Sequence, residues 1–325
     1  MESIAIIGAG LTGLTVADAL RDTYRVTVFE KSRGLGGRLS TRRVTLDDGT
    51  RLSFDHGAPV AHGPTDRDHE VPADYLSFLE RLRERGSVSE WDHWPGFAVG
   101  VPQMSDLVAP LAEGIDMRVQ ARVGALAREA DGWWLIQEPH QREGGTTTGP
   151  EGPFDRVVVA IPAHQAARLL APHAPDVADG LGTVTMAPCW TLMVAFRDAV
   201  STGLDGVEDR GDVQWLVREA DKPGRAARPP RWVLQMKAEW SRRHLHRDRA
   251  DMVPVLLDVM ATLRDERDPM IAIAHRWLHS QTETPLGKPC RVSKDETLIV
   301  GGDWCLGPYA QHAWASGRAI VERLR

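Results

Sequence analysis

Apolar residues form a short run near the start of the chain, from Ser3 to Ile7. The run has the length of a buried strand, and the segment from about Leu11 to Arg21 has helical spacing. A second apolar run, Arg25 to Phe29, ends at the acidic Glu30. This order of strand, glycine-rich turn, helix and strand predicts a βαβ unit, the building block of α/β folds with a parallel sheet.

Further helices and strands are predicted along the rest of the chain. The pattern predicts helices at 73–85, 163–170, 248–264 and 311–324, and strands at 117–123, 133–137, 156–161 and 296–301. Turns are predicted at Asp47-Asp48-Gly49, Gly63-Pro64 and Ala130-Asp131-Gly132. Residues 142–153 and 218–230 are interpreted as polar loops, the proline-rich 172–188 as a crossing between lobes, and 190–277 as an inserted second lobe.

Composition and charge narrow the class of protein. The 325 residues exceed the roughly 250 to 300 at which a single core stops growing, so two lobes are expected. The formal net charge of −6, with basic residues scattered among acidic ones, gives no basic face for nucleic acid. Because no export signal and no apolar stretch of roughly 18 residues occurs, we expect a soluble, cytoplasmic protein without membrane contact.

The cysteines indicate neither a disulfide framework nor a metal site. Cys189, Cys290 and Cys305 are odd in number and lack the spacing of zinc ligands. We therefore expect buried thiols in a reducing compartment and no bound metal.

The turn after the first strand reads Gly8-Ala9-Gly10-Leu11-Thr12-Gly13, a GxGxxG motif. Gly8 permits the tight turn, Gly10 lets the backbone approach a pyrophosphate, and Gly13 allows close packing of helix and strand. Glu30, at the end of the second strand, is positioned to accept hydrogen bonds from an adenosine ribose. The sequence therefore predicts a dinucleotide site that includes these residues: Gly8, Gly10, Leu11, Thr12, Gly13, Glu30 and Lys31.

The nature of the dinucleotide is indicated by the next segment, 30–38, which adds three glycines and ends at an arginine. Such a loop suits folding over a pyrophosphate, with the Arg38 guanidinium pairing its oxygens and Gly37 next to it. A basic surface loop is the alternative.

These motifs resemble a known family. An acid followed by Gly36-Gly37-Arg38 after GxGxxG resembles the flavin amine oxidase superfamily, in which the arginine contacts the FAD pyrophosphate. Within it, bacterial renalases are the closer match, over nearly the whole chain. The segments that carry this resemblance are KSRGLGGRLSTRR at 31–43, Asp55-His56-Gly57-Ala58, WSRRHL at 240–245, AHRWL at 274–278 and, most specific, GGDWCLGPYAQHAWASG at 301–317.

The resemblance implies a fold class and a domain division. The fold is α/β, with a Rossmann-like FAD-binding domain of the amine oxidase type and an inserted α+β substrate domain. The FAD-binding domain is expected to comprise 1–72, 103–172 and 292–325, and the substrate domain 73–102 and 173–291.

By the same resemblance, a late strand, a Gly-Asp pair and a helix complete the flavin site. Gly302 allows close backbone approach, and Asp303 accepts from ribityl hydroxyls or lies near the pyrophosphate. Capping of a turn is the alternative for Asp303. Amides at the start of the last helix stabilise negative charge on the reduced ring. The resemblance also places Gly57, Ala58, Val123, His312 and Ala313 at the cofactor and Trp304 beside its ring, with a core position as the alternative for Val123.

The second lobe carries the residues expected near the substrate. His275, in AHRWL, is the histidine we place nearest the flavin ring, with a structural role as the alternative. The chain departs from the family pattern at Pro59, Val60 and Ala61 and at Gly307-Pro308-Tyr309. His56, His62 and Tyr309 are features of this sequence that alter the substrate site, and we count His56, His275 and Trp304 as the candidate catalytic residues.

Renalases take hydride from mis-reduced isomers of β-NAD(P)H and reduce O2 to hydrogen peroxide, and the resemblance implies this activity, with noncovalent FAD and a small-molecule substrate. Three alternatives stay open. The chain could be an amine oxidase or dehydrogenase, with Lys237 holding a water near the flavin unless it is simply solvated. It could be a biosynthetic flavoenzyme acting on a small ring, or a flavin-binding protein without activity.

Overall fold

A computed structural model describes residues 1–63, 70–138, 149–198, 206–265 and 268–325 of the chain. The strands are β1 (Ser3–Ile7), β2 (Arg25–Glu30), β3 (Arg42–Thr45), β4 (Arg51–Phe54), β5 (Ala61–His62), β6 (Val88–Glu90), β7 (Phe97–Gly100), β8 (Asp116–Val119), β9 (Val123–Glu129), β10 (Gly132–Gln137), β11 (Glu151–Phe154), β12 (Arg156–Val159), β13 (Thr185–Phe196), β14 (Gly206–Arg210), β15 (Val213–Arg218), β16 (Arg231–Met236), β17 (Pro269–Thr284), β18 (Arg291–Val292) and β19 (Leu298–Val300). The α-helices are α1 (Leu11–Leu20), α2 (Ala73–Glu84), α3 (Ala163–Leu170), α4 (Pro175–Gly180), α5 (Ala238–Arg243), α6 (Arg249–Ala261) and α7 (Ala310–Leu324).

The chain divides into two compact units. Unit 1 comprises Met1–Gly37, Val108–Thr185 and Thr282–Arg325, and unit 2 comprises Arg38–Leu107 and Met186–Gln281. Each unit is a set of residues whose backbones pack together. The domains expected from the sequence are defined instead by the ligand that each would bind, cofactor or substrate. The assignment of 38–72 to an FAD-binding domain therefore stays a prediction.

Unit 1 is built on a six-stranded sheet in the order β18-β19-β12-β1-β2-β8. Neighbouring strands from β19 to β8 run parallel, and only the edge strand β18 is antiparallel. Every residue of β1 is buried, as expected for an apolar strand at the centre of a parallel sheet. This is the doubly wound α/β arrangement that the opening βαβ pattern predicts. A smaller antiparallel sheet, β11-β10-β9, completes the unit.

Unit 2 contains a five-stranded antiparallel sheet in the order β14-β15-β16-β13-β17. One hydrophobic cluster includes Trp190, Trp232 and Leu256 of α6, and a second joins Phe54 of β4 to Met193 of β13. Two further pieces are the hairpin β3-β4 and the small sheet β5-β7-β6. Nothing among the described helices has both the length and the apolar content needed to cross a bilayer.

One predicted strand is wrong. The segment 117–123 was expected to be a single strand. Instead β8 ends at Val119 and is parallel to β2, while β9 begins at Val123 and pairs with β10. Gln120, between them, has a φ of 58°, a left-handed conformation that interrupts a strand.

The predicted loops differ from the structure in part, and some of their residues lie outside the described ones. Residues 142–148 of the loop at 142–153 lie outside the described residues, as does Pro64. Glu151–Phe154 form β11 instead of loop. In the polar loop at 218–230, Glu219 and Lys222 are buried rather than solvated.

Candidate functional site

The glycines of the turn after β1 differ in whether the surrounding structure leaves room for a side chain. A Cβ on Gly8 would lie 2.5 Å from the carbonyl oxygen of Ala160, and one on Gly13 would lie 2.0 Å from the carbonyl oxygen of Gly8. The fold itself therefore requires glycine at both positions. A Cβ on Gly10 would meet nothing within 4 Å, so packing among the described residues gives no reason for glycine there.

The loop after β2 folds back onto this turn. Gly36 donates its N–H to the carbonyl of Ala9 at 2.8 Å, and a Cβ on Gly37 would lie 3.4 Å from the Cα of Gly10. Glu30 is buried, and its carboxylate accepts from the N–H of Ala9 at 3.0 Å. The two glycine-rich segments of the predicted dinucleotide site are thus in contact.

The second stretch of the predicted site reaches the same edge of the sheet. β19 pairs with β12, and β12 pairs with β1, so the carboxyl ends of the three strands lie side by side. Gly301 follows β19 and donates to the carbonyl of Val159 at 3.1 Å. Asp303 is buried and accepts from the Thr282 hydroxyl at 3.2 Å. The glycine turn after β1 and the segment after β19 therefore lie at one edge of the sheet, although nearly three hundred residues separate them in the sequence.

α1 follows the glycine turn and α7 follows the segment after β19, and these two helices are in contact. The Thr12 hydroxyl donates to the carbonyl of Ala313 at 2.8 Å. A Cβ on Gly317 would lie 2.9 Å from the carbonyl oxygen of Thr12, so glycine permits the close approach. His312 accepts from the N–H of Tyr309 at 3.1 Å, and its ring stacks on Tyr309 at 5.5 Å. His312 therefore caps the start of α7.

The remaining predicted residues of unit 1 lie around this edge or in its core. Leu11 is the buried first residue of α1, and Lys31 is exposed directly after β2. Val123 begins β9, two residues after Ala121, whose N–H donates to the carbonyl of Glu30 at 2.9 Å. Trp304 is fully buried, and its indole N–H donates to the carbonyl of Ile161 at 3.0 Å.

Three predicted cofactor residues come together in unit 2. Ala58 donates its N–H to the carbonyl of Arg38 at 2.7 Å. A Cβ on Gly57 would lie 1.9 Å from the same oxygen, so only glycine fits. Gln235, on β16, donates to the carbonyl of Gly57 at 2.5 Å, and the Arg38 side chain donates to the carbonyl of Ser280 at 3.3 Å.

Two predicted catalytic residues, His56 and His275, pack with Trp277 in what we call the ring cluster. The ring centroids of the two histidines are 5.1 Å apart, and that of Trp277 lies 5.1 Å from His56 and 4.7 Å from His275. The Trp277 indole N–H donates to the carbonyl of His56 at 3.0 Å. Trp304, the third predicted catalytic residue, belongs to unit 1.

The ring cluster keeps both histidines neutral. Burial, with the positive charge of Arg42 adding to it, lowers the pKa of His56 to about 4. Burial and the neighbouring His56 lower the pKa of His275 to about 3. The buried Nδ1 of His56 has no hydrogen-bond partner among the residues that the structure describes. The cluster therefore carries an unused hydrogen-bonding atom, and neither histidine is an imidazolium that could act as a general acid at neutral pH.

A buried group of charges next to the ring cluster was missed by the sequence interpretation. Asp55 accepts from Arg225 at 2.6 Å, from Lys222 at 3.1 Å and from the Thr41 hydroxyl at 2.6 Å. The backbone N–H of Asp55 donates to Glu219 at 3.3 Å. Burial would raise the pKa of Asp55, but Lys222 and Arg225 hold it well below its usual range.

Glu219 behaves differently within this group. Burial raises the pKa of Glu219 and the negative charge of Asp55 acts in the same direction, while Lys222, at 3.4 Å, opposes them. The spacing of Glu219 and Lys222, three residues apart, is the one signal of this group that the sequence carries.

Two other residues from the sequence interpretation have local partners. Lys237 forms an ion pair with Asp209, which agrees with a solvated lysine rather than one that holds a water in a site. His62 is buried and packs on Phe97 with ring centroids 5.6 Å apart.

The geometry defines a class of fold, an α/β protein with a Rossmann-like parallel sheet, and comparison with known proteins agrees. Residues 6–76 match the family of NAD(P)-binding Rossmann-like domains. The fold of the whole chain resembles that of two solved proteins. A solved candidate protoporphyrinogen oxidase from Exiguobacterium sp. 255-15 aligns with a TM-score of 0.67 at 14% identity, covering 99% of this chain and 98% of that one.

Two further proteins resemble this chain. Cyclohexylamine oxidase from Brevibacterium oxydans IH-35A aligns with a TM-score of 0.64 at 14% identity over 99% of both chains. Carotenoid phi-ring synthase from Streptomyces griseus is 39% identical over 56 residues, which is 17% of this chain and 11% of that protein. At these identities the likeness to solved structures establishes the fold.

Proposed function

We propose that this protein is an FAD-dependent oxidoreductase that binds its flavin noncovalently. The observation that carries the proposal is the meeting of Gly8-Ala9-Gly10 and Gly302-Asp303 at one edge of the parallel sheet. In open α/β sheets, ligands bind outside the carboxyl ends of the strands. The fold likeness to a cyclohexylamine oxidase supports the same class of chemistry.

The residues at this edge fit a dinucleotide. Gly10 faces open space, which suits the approach of a pyrophosphate to the backbone. Burial raises the pKa of Cys189 to about 11 and that of Cys305 to about 12, so neither thiol is a ready nucleophile for covalent attachment. The residues proposed to hold FAD are Gly8, Gly10, Leu11, Thr12, Gly13, Glu30, Lys31, Gly37, Arg38, Gly57, Ala58, Val123, Gly302, Asp303, His312 and Ala313.

The finer proposal is a renalase-like activity, oxidation of mis-reduced isomers of β-NAD(P)H. When bound, the flavin would supply hydride acceptance and transfer of electrons to O2, giving hydrogen peroxide. His56 and His275 are neutral near pH 7, so they orient a substrate by hydrogen bonding instead of donating protons. That suits a dihydropyridine substrate, because its oxidation to an aromatic ring needs little proton chemistry.

An amine oxidase or dehydrogenase is the second candidate. The ring cluster supports it, because aromatic side chains also surround amine substrates, and a cyclohexylamine oxidase shares the fold. A biosynthetic flavoenzyme is a third candidate, supported by the short match to a carotenoid phi-ring synthase.

Mixing the flavin-bound protein with electron donors in the absence of oxygen distinguishes these candidate functions. We expect the yellow absorbance of the bound flavin to bleach rapidly with partially isomerised NADH and to stay unchanged with cyclohexylamine. Bleaching by the amine alone would overturn the finer proposal in favour of the second candidate. A protein that retains flavin but responds to neither donor would favour the third, and acid precipitation should release the chromophore into the supernatant.

A further inference from the structure

Arg231, the first residue of β16, is a buried cation without a carboxylate partner. It is 3% exposed, and it forms no ion pair with any residue that the structure describes. Its guanidinium donates to the carbonyl of Ala226, the residue after Arg225, at 3.0 Å, while the buried Nε has no hydrogen-bond partner among the described residues. A buried, unpaired charge of this kind is costly unless a counterion reaches it.

Backbone pairing places Arg231 beside the buried charges described above. Arg218, the last residue of β15, pairs with Trp232, so the next residue, Glu219, lies across from Arg231. Residues opposite each other in an antiparallel pair carry their side chains on the same face. Glu219 belongs to a set of buried residues that we call the charge group: Asp55, Glu219, Lys222 and Arg225.

The alternation of β16 gives the same placement. Arg231, Val233 and Gln235 lie on one face of the strand. Val233 packs in a cluster with Phe54 of β4, and Gln235 donates to the carbonyl of Gly57. Arg231 is therefore on the face of the sheet that packs on β4 and on the residues that follow it.

With Arg231 included, the buried charges do not balance. Lys222, Arg225 and Arg231 are cations, whereas Asp55 and Glu219 supply two carboxylates. The side chains of the charge group are at most 1% exposed, so water screens them little. One positive charge is left over even when Glu219 is ionised. The Nε of Arg225 is a second buried donor without a partner among the described residues. Excess positive charge and two unpaired donors together suit an anion.

The donors indicate which kind of anion fits. Each Nε presents a single N–H, whereas phosphate and sulfate are held best by paired N–H groups. A halide is a sphere with one negative charge, so it accepts from single N–H groups in any direction. Its charge equals the excess that remains when Glu219 is ionised.

We propose that unit 2 binds a halide ion in its interior, at the Nε–H of Arg231, with Arg225 as the second donor. The ion neutralises the excess charge and ties the start of β16 to the segment that carries Lys222 and Arg225. The site does not involve the flavin, so it goes beyond the proposed function.

Urea unfolding of the full chain in different salts tests the site. The protein is dialysed into sodium gluconate, which is then replaced by sodium bromide at constant ionic strength. A ligand that binds only the folded chain lowers the unfolding constant as its concentration rises. We expect the constant to fall about fivefold or more in the wild type and to change less than about twofold in R231Q.

The matched control is R228Q, which removes the same charge from an exposed arginine three residues earlier. It should keep the full response to bromide, because Arg228 lies outside the charge group. An equal response in R231Q and wild type, or no response in the wild type, would overturn the halide site.

Diffraction from wild-type crystals in bromide gives a second measurement, which does not depend on the folding of R231Q. Anomalous scattering at the bromine edge should show a peak in contact with the Nε of Arg231. A water at that position instead of a peak would count against the site. So would a peak without any effect of bromide on unfolding, because it would indicate an adventitious ion only.

Discussion

His56 combines several roles that no single feature of the sequence reveals. Its carbonyl accepts from Trp277, its ring packs on His275, and its Nδ1 has no partner among the described residues. An unpaired buried nitrogen costs free energy that a ligand can recover. The sequence identified His56 as a feature of this chain and a candidate catalytic residue, but it did not identify the ring partners, which are more than 200 residues away.

The ring cluster makes stability depend on pH. The pKa of His56 falls from 6.5 to about 4 on folding, so the unfolded chain binds a proton first as the pH decreases. Stability is complete above pH 6.5 and falls as the pH approaches 4. Urea unfolding should show up to about 2 kcal/mol less stability at about pH 5 than at about pH 7.5 from this residue.

The H56Q variant should reduce this loss, whereas H93Q, at an exposed histidine of the same unit, should leave it unchanged. An equal pH dependence in wild type and H56Q would contradict the assignment of a buried neutral His56.

At the scale of elements, strands and helices with strong periodicity were predicted well. β1 was predicted to the residue, and β2, α2 and α7 to within one or two residues. These elements carry their own signals, because apolar spacing and the glycine turn are local. The break between β8 and β9 was missed, because it depends on parallel pairing of β8 with β2, a contact that the sequence pattern does not encode.

The buried charges that join the end of β4 to the loop after β15 were also missed. Loops rich in charge are usually solvated, and Asp55 lies more than 160 residues from its partners. Only the folded chain brings these groups together, in a setting where each buried charge needs a counterion.

The buried charges predict that D55N and E219Q lower the free energy of unfolding by different amounts. D55N removes the counterion of Lys222 and Arg225 and should cost about 3 to 5 kcal/mol of unfolding free energy. E219Q should cost less, because burial already favours the protonated form of Glu219. Denaturant titrations measure both, with E80Q in an exposed ion pair as the control that should change little. A larger loss in E219Q than in D55N would contradict this account.

At the scale of the whole molecule, the sequence predicted that two remote segments form one cofactor site. Within unit 1 this convergence is present, since β1, β12 and β19 are adjacent and Thr12 contacts Ala313. The proximity of the segments could be predicted because parallel α/β sheets bring the carboxyl ends of their strands to one edge, whereas their binding of a cofactor stays a prediction. The substrate could not be predicted in the same way, because the chain departs from the family pattern at 59–61 and 307–309, in the region expected to contact it.

The most direct test of the central claim is a titration of FAD into the purified chain, with G10A and G182A as variants. A Cβ at either position meets no atom within 4 Å, so both variants should fold as the wild type does. We expect the wild type and G182A to bind one FAD per chain and G10A to bind it at least about tenfold more weakly, because only Gly10 would face the pyrophosphate. A wild type that binds no FAD, or a G10A variant that binds it equally well, would contradict the account.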